Sequence, residues 1–308
     1  MTVEVLVELA WKSLVAAAIA LVALRLLRGR SAAERALVAH LALVTLLLLP
    51  ATSLLLPELR IGAPPAVSEA YRAVAEATGA EAALEPATGA AASEVDPAIR
   101  WADLVGWLYS LPAASLLLLT LMALVRLQRL RRRAEVLVDP RWLTALAAAQ
   151  GRLGMRHGTA LLASEEVASP ISWGVIRPII ILDRRTAEQA AGAEAIIAHE
   201  LAHVTRLDWL GLLLGRAACA AFWFDPFVWL LARQAHQLSE QAADDAVLRC
   251  QVPSADYAEL LVASARHAAP PLALAANGVA PSRDSLGERV VAVLDPARSR
   301  VPARFGWT

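Results

Sequence analysis

Cysteine is scarce: Cys219 and Cys250 are the two in 308 residues, and their placement offers no disulfide framework. A small secreted domain stapled by bridges is thereby excluded, and both thiols read as reduced and structural. Aromatic residues make up 5% of the chain, and lysine occurs once, at Lys12. Charge of either sign is not in excess either, since 29 basic residues face 29 acidic ones. The chain has neither the basic field that dominates affinity for nucleic acid nor an acidic tail to recruit a basic partner. Direct nucleic-acid binding is not expected. What abounds is aliphatic: 57% of the residues are hydrophobic and 19% charged. That balance exceeds an ordinary soluble domain and points to contact with a lipid bilayer.

Ala36 to Leu56 and Leu104 to Val125 carry no charged side chain. At about 1.5 Å per residue each is long enough to cross a hydrocarbon core of about 30 Å. Pro50 and Pro112 fall inside them, and membrane helices tolerate proline better than soluble ones. A third apolar stretch, residues 3–27, holds Glu4, Glu8 and Lys12. Glu8 and Lys12 stand one turn apart and can pair, so it too is expected to span, at about 3–27, beside about 36–56 and 104–125. Its opening lacks the basic residues of a cleaved signal peptide, so it is expected to remain as an anchor.

Arginine placement sets the expected orientation, because short loops rich in basic residues stay in the cytoplasm. Arg25, Arg28, Arg30 and Arg35 lie between the first two spans, and Arg126, Arg129, Arg131, Arg132 and Arg133 end the third. Both clusters belong inside. The N-terminus and residues 57–100, which hold seven acidic residues against three arginines, then belong outside. The chain divides into a transmembrane region 1–133, a cytoplasmic domain 134–268, and a Pro/Ala-rich tail 269–308 with a short helix at Leu286–Leu294.

Within the cytoplasmic part, Trp142 to Leu153 reads as a helix ended by Gly154, and Thr159 to Ala163 as a strand. Pro178 to Leu182 reads as an exposed edge strand, because prolines in sheets are confined to edges and bulges. An extended substrate adding to that edge competes with plain sheet structure as its role. Thr186 to Arg206 reads as one helix, Asp208 as the cap of a helix beginning at Trp209, and Glu240 to about Leu248 as a further helix. Trp209 to Leu231 is apolar and rich in aromatics but interrupted by Arg216, Asp225 and Pro226. It reads either as a bent hairpin against the bilayer or as an ordinary core helix pair.

The chemistry concentrates in His199-Glu200-Leu201-Ala202-His203. Imidazoles at i and i+4 share one helical face, where both can reach a single ion at about 2.0 to 2.1 Å. Zinc lowers the pKa of a bound water toward about 7, and a neighbouring carboxylate, Glu200, takes its proton. A third ligand is available in Glu240. If it ligates, Asp244 one turn on can reach the outer ring nitrogen of a ligating histidine and fix its tautomer. Two histidines and one carboxylate leave a position open for water, the catalytic pattern. His236, Arg233, Tyr257 and His267 are candidates for stabilising an oxyanion, with no ground for choosing one. His40, inside a span, is expected to bond to another helix, and His157 to face solvent.

These residues resemble the integral-membrane zinc metallopeptidases of the BlaR/MecR type, antibiotic-sensing receptors of bacteria, and their sensorless relatives. The likeness is carried by the three spans, the Ser-Pro and Gly-x-x-Arg-Pro pattern in Ser169 to Leu182, His199 to Trp209, Trp223-Phe224-x-Pro226-x-x-Trp229, and Glu240 to Leu248. It implies a mainly α membrane protein: three N-terminal transmembrane helices followed by a cytoplasmic α+β zincin-like metalloprotease domain with a small β-sheet. It implies one zinc ion held by His199, His203 and Glu240, with Glu200 as base and Asp244 as outer partner. It also implies a protein substrate, a cytoplasmic repressor or the chain itself, and residence in the bacterial inner membrane. Two positions depart from the family's usual residues: Ala243 stands where a cysteine is common, and Asp225 where His or Asn is. Such receptors carry a further transmembrane helix and often an outer sensor. No such run follows here, as in a truncated receptor or a sensorless branch. A signalling protein with a purely structural zinc, or a quality-control protease for membrane proteins, are the rival readings.

Overall fold

The computed structural model describes residues 3–55, 101–155, 158–190, 192–267 and 283–303. The expected outer loop and His157 lie outside them, as does the side chain of His267. Helix α1 (Val3–Leu26) closes with a 3-10 turn at Leu27–Gly29. Ser31 and Glu34 then cap each other: the Ser31 hydroxyl accepts from the Glu34 N–H, and the Glu34 carboxylate accepts from the Ser31 N–H, both at 3.2 Å. This reciprocal box satisfies amides that the first turn of a helix leaves orphaned, and α2 (Ala32–Leu55) starts there. Helix α3 is Trp101–Arg133. Val5–Gly29, Ala32–Ala51 and Leu104–Arg133 are long and apolar enough to cross a membrane. In the last only 6% of the most apolar window is buried, leaving Leu108, Leu111, Leu117, Leu118 and Leu121 to face outward.

After strand β1 (Glu135–Val136), Asp139 caps α4 (Pro140–Leu153) by accepting from the Arg141 N–H at 2.8 Å. Strands β2 (Ala160–Ser164), β3 (Ile171–Trp173) and β4 (Ile179–Asp183) complete a sheet of order β1-β2-β4-β3, in which β2 and β4 are parallel. The expected edge is therefore wrong: β4 is internal, with Ile179 to Leu182 buried, and β3 is the edge beside the site. Pro178 caused no conflict because the ladder begins one residue later. Its carbonyl still accepts from the Ala160 N–H at 3.0 Å.

The helix expected over Thr186 to Arg206 is two helices, α5 (Arg184–Gln189) and α6 (Ala193–Thr205). Ala190 and Gly192 between them take positive φ angles, 50° and 69°. A Cβ at Gly192 would meet Leu260 at 2.9 Å, so this break is packed as well as turned. Helix α7 (Asp208–Ala221) follows immediately. Its cap position is Leu207 and not Asp208, whose carboxylate is engaged elsewhere. Asp225 caps α8 (Pro226–Arg249), accepting from the Phe227 N–H at 2.9 Å. The separate helix expected at Glu240 is thus the second half of α8. Helices α9 (Ser254–His267) and α10 (Arg283–Leu294) close the described chain.

Three main apolar clusters hold these elements. One joins α4, β2, β4 and α6 to the end of α8, α9 and α10, with Trp142, Ile180, Leu182, Ile197 and Leu201 at its centre. A second joins α1 and α2 to α7 and the first half of α8 through Leu24, Leu43, Leu46, Phe222 and Leu231. The third packs Leu127 and Leu130 of α3 on Trp173, Ile179 and Ile181 of the sheet. Helix α8 belongs to the first two.

Candidate metal centre

Helix α6 presents His199 and His203 one turn apart, with their Nε2 atoms 3.1 Å from each other. Small side chains bring α8 against it: Ala202 meets Ala243 and Ala246, all buried. Glu240 on α8 then lies with Oε1 3.5 Å from His203 Nε2 and Oε2 3.7 Å from His199 Nε2. The ligand atoms of the three fall within 4.8 Å of one another. A tetrahedral ion with bonds of about 2.0 to 2.2 Å separates its donors by roughly 3.3 to 3.6 Å, so this donor set needs only small side-chain shifts to hold a zinc-sized ion.

Each ring is held from behind. His203 Nδ1 lies 2.7 Å from Asp208 Oδ2, and Arg206 bridges that carboxylate to the Ser239 carbonyl of α8. His199 Nδ1 lies 2.9 Å from the Tyr257 hydroxyl and 3.3 Å from Asp244 Oδ1. The Tyr257 O–H donates to Asp244 at 2.7 Å, so its oxygen accepts from His199 Nδ1–H. Both arrangements put the proton on Nδ1 and leave Nε2 as the donor to an ion. Tyr257 is therefore committed, and of the other oxyanion candidates His236 faces the same cleft.

Arg289 of α10 completes the centre. Its guanidinium donates twice to Asp244, at 2.7 and 2.8 Å, and its third nitrogen lies 3.0 Å from Glu240 Oε2. Burial works against ionisation of both carboxylates. The Arg289 charge outweighs it, holding Glu240 well below the usual carboxylate range and Asp244 at about 2. Burial also opposes a proton on His199, but hydrogen bonds to Asp244 and Glu240 prevail and raise its pKa to about 9. For Tyr257, burial and then the Asp244 charge push the hydroxyl well above its ordinary value, so it stays a donor.

Glu200 is 7% exposed and lines a cleft of about 1080 Å³ together with His199, His203, Glu240 and Ser172. Its backbone carbonyl accepts from the Ser172 hydroxyl at 3.2 Å, tying edge strand β3 to α6. His199, Glu200, His203, Glu240 and Asp244 thus meet here. Sequence reading missed Arg289, placed in the tail, and took Asp208 for a cap. The signal for Asp208 was its spacing of five from His203; Arg289 had none beyond being a basic residue on a short amphipathic helix.

The sequence matches the family described as BlaR1 peptidase M56 over residues 8–293. It is also similar to the regulatory protein BlaR1 of Bacillus licheniformis, 29% identical over 143 residues, which is 45% of this chain and 23% of that relative.

Proposed function

We propose, from the premise that this chain belongs to the BlaR1 peptidase M56 family, that it is a zinc-dependent endopeptidase cutting a protein beside the membrane in bacterial signalling. Its membrane association and its metallopeptidase type follow from the three apolar helices and the family. The carrying observation is the His199, His203 and Glu240 cluster with buried Glu200 on the same cleft. A zinc ion held by those three residues would polarise the scissile carbonyl and acidify a water.

The chain's own residues supply the rest. Glu200 takes the proton at its carboxylate and delivers it to the leaving nitrogen. Asp244 with Tyr257 holds His199, and Asp208 holds His203, each in the tautomer with Nε2 free. An extended substrate adds to the edge of β3, whose Ser172 and Trp173 line the cleft beside Glu200. A cytoplasmic repressor or a second copy of the chain is the substrate we favour. The arginines flanking α1, α2 and the end of α3 support a cytoplasmic centre and an outer N-terminus in the bacterial inner membrane.

Glu200→Gln tests this reading. The variant should retain its metal and its membrane insertion while cleavage, self-cleavage included, falls by at least about 10²-fold. Normal cleavage by the variant, read by mass spectrometry of reconstituted protein and substrate, would remove Glu200 from the mechanism.

A further inference from the structure

We propose that α7 and the first half of α8 form a re-entrant hairpin immersed in the bilayer, giving the protein a lipid contact beyond its three spans. The proposal rests on the spans and not on catalysis.

Helix α7 runs alongside spanning helices through their middles. Gly211 faces His40, where an added Cβ would lie 2.2 Å from the ring nitrogen, and Gly215 faces Leu43 at 3.8 Å. The hydrogen bond expected from His40 to another helix is instead made to the Ala36 backbone of its own helix, and its ring packs against Gly211. As α7 advances from 211 to 215, its partner on α2 advances from 40 to 43, so the two descend together. On α3 the partners run the other way. Trp209 packs in the cluster with Leu127 and Leu130, whereas the Ala221 carbonyl accepts from the Tyr109 hydroxyl at 2.7 Å. The Trp223 N–H donates to the Tyr109 carbonyl at 3.2 Å. The hairpin tip therefore lies beside a residue well inside the third span, Leu104–Arg133. With 14 residues, α7 is about 21 Å long, enough to carry it there.

The surface chemistry agrees. Between Trp209 and Ala232 the charged residues are Arg216 and Asp225, and both are turned inward at 4% and 0% exposure. Leu210, Phe227 and Leu230 are exposed, as are the outward leucines of α3. The backbone is satisfied at the turn: Asp225 caps α8, the Asp225 N–H donates to the Phe222 carbonyl, and Trp229 donates to the Trp223 carbonyl at 3.0 Å. The first exposed charge on the returning helix is Arg233, eight residues past Asp225 and so about 12 Å back toward the metal centre. Its long stem lets the head reach the interface.

Nitroxide accessibility of the full chain in phospholipid vesicles decides the matter. In a Cys219→Ala, Cys250→Ala background, single variants Phe227→Cys and Leu230→Cys carry the label. Leu118→Cys on α3 provides the lipid reference, and Val136→Cys on β1 the water reference. All four are exposed positions that leave the core unaltered, and helical content by circular dichroism equal to that of the unsubstituted chain verifies the fold. The ratio of collisions with oxygen to those with a water-soluble nickel chelate should match Leu118 and exceed Val136 several-fold at both hairpin positions. A ratio at either hairpin position equal to that of Val136 overturns the immersion.

Discussion

At the scale of single residues the centre is a balance of charge. His199 carries a proton up to about pH 9 because Asp244 and Glu240 face it, whereas a ligating imidazole must be neutral. The sign follows directly. A histidine pKa raised above its ordinary 6.5 stabilises the ion-free fold fully below that value, and the gain is lost as pH rises through about 9. Zinc competes with the same proton, so its apparent affinity should climb about tenfold per pH unit between pH 7 and 9. Titration with a zinc chelator in several buffers measures this, and a flat profile would contradict it. The residues of that balance were unequally visible in the sequence. His199, Glu200 and His203 announce themselves by helical spacing, and Glu240 and Asp244 by theirs. Arg289, the cation that lets the Glu240 and Asp244 carboxylates share a helix face, comes from across a long stretch of chain, and no local pattern marks it.

At the scale of elements, α10 is more than a tail helix. Val290 and Val293 pack into the cluster that carries α6 and α9, and Arg289 projects from the same helix to Glu240 and Asp244. Arg289→Ala should weaken zinc affinity by about 10- to 100-fold, the range for partners behind a metal ligand. Arg289→Lys should restore part of it, since a point charge replaces a fork. Equal losses in both variants would mean the charge is not what matters. Helix existence was largely readable here and helix limits were not. Alanine-rich periodicity runs straight through 184–205, whereas the chain turns at Ala190 and Gly192 with positive φ and packs Leu260 against Gly192. Asp225-Pro226 was read as an interruption, whereas it starts a helix that continues to Arg249. Pro178 suggested an edge because its missing N–H was assigned to the ladder, just outside which it falls.

At the scale of the whole molecule, the apolar clusters hold the fold without calling on the metal centre. Chelation should therefore abolish cleavage while leaving helical content and membrane insertion unchanged. Circular dichroism in vesicles and alkaline extraction check this; extensive unfolding after chelation would assign the ion a structural role. Thermal stability should still fall by the mass-action term, about 2.7 kcal/mol at a hundredfold excess of ion over its dissociation constant. The mainly helical class and the three spans were legible because lipid imposes long uncharged runs. How α7 and α8 meet those spans was not, because two inward charges disguise the stretch.

Helix α8 shares the second apolar cluster with Leu43 and Leu46 of α2 from Val228 onward, and bears Glu240 about three turns past Val228. No joint separates the two ends. A tilt or twist imposed where this helix meets the spans would be carried along the same backbone toward the carboxylate. The imidazole pair sits on a different helix. News from the bilayer would thus be delivered as a change in the gap between a carboxylate and two rings, with no messenger other than the backbone itself.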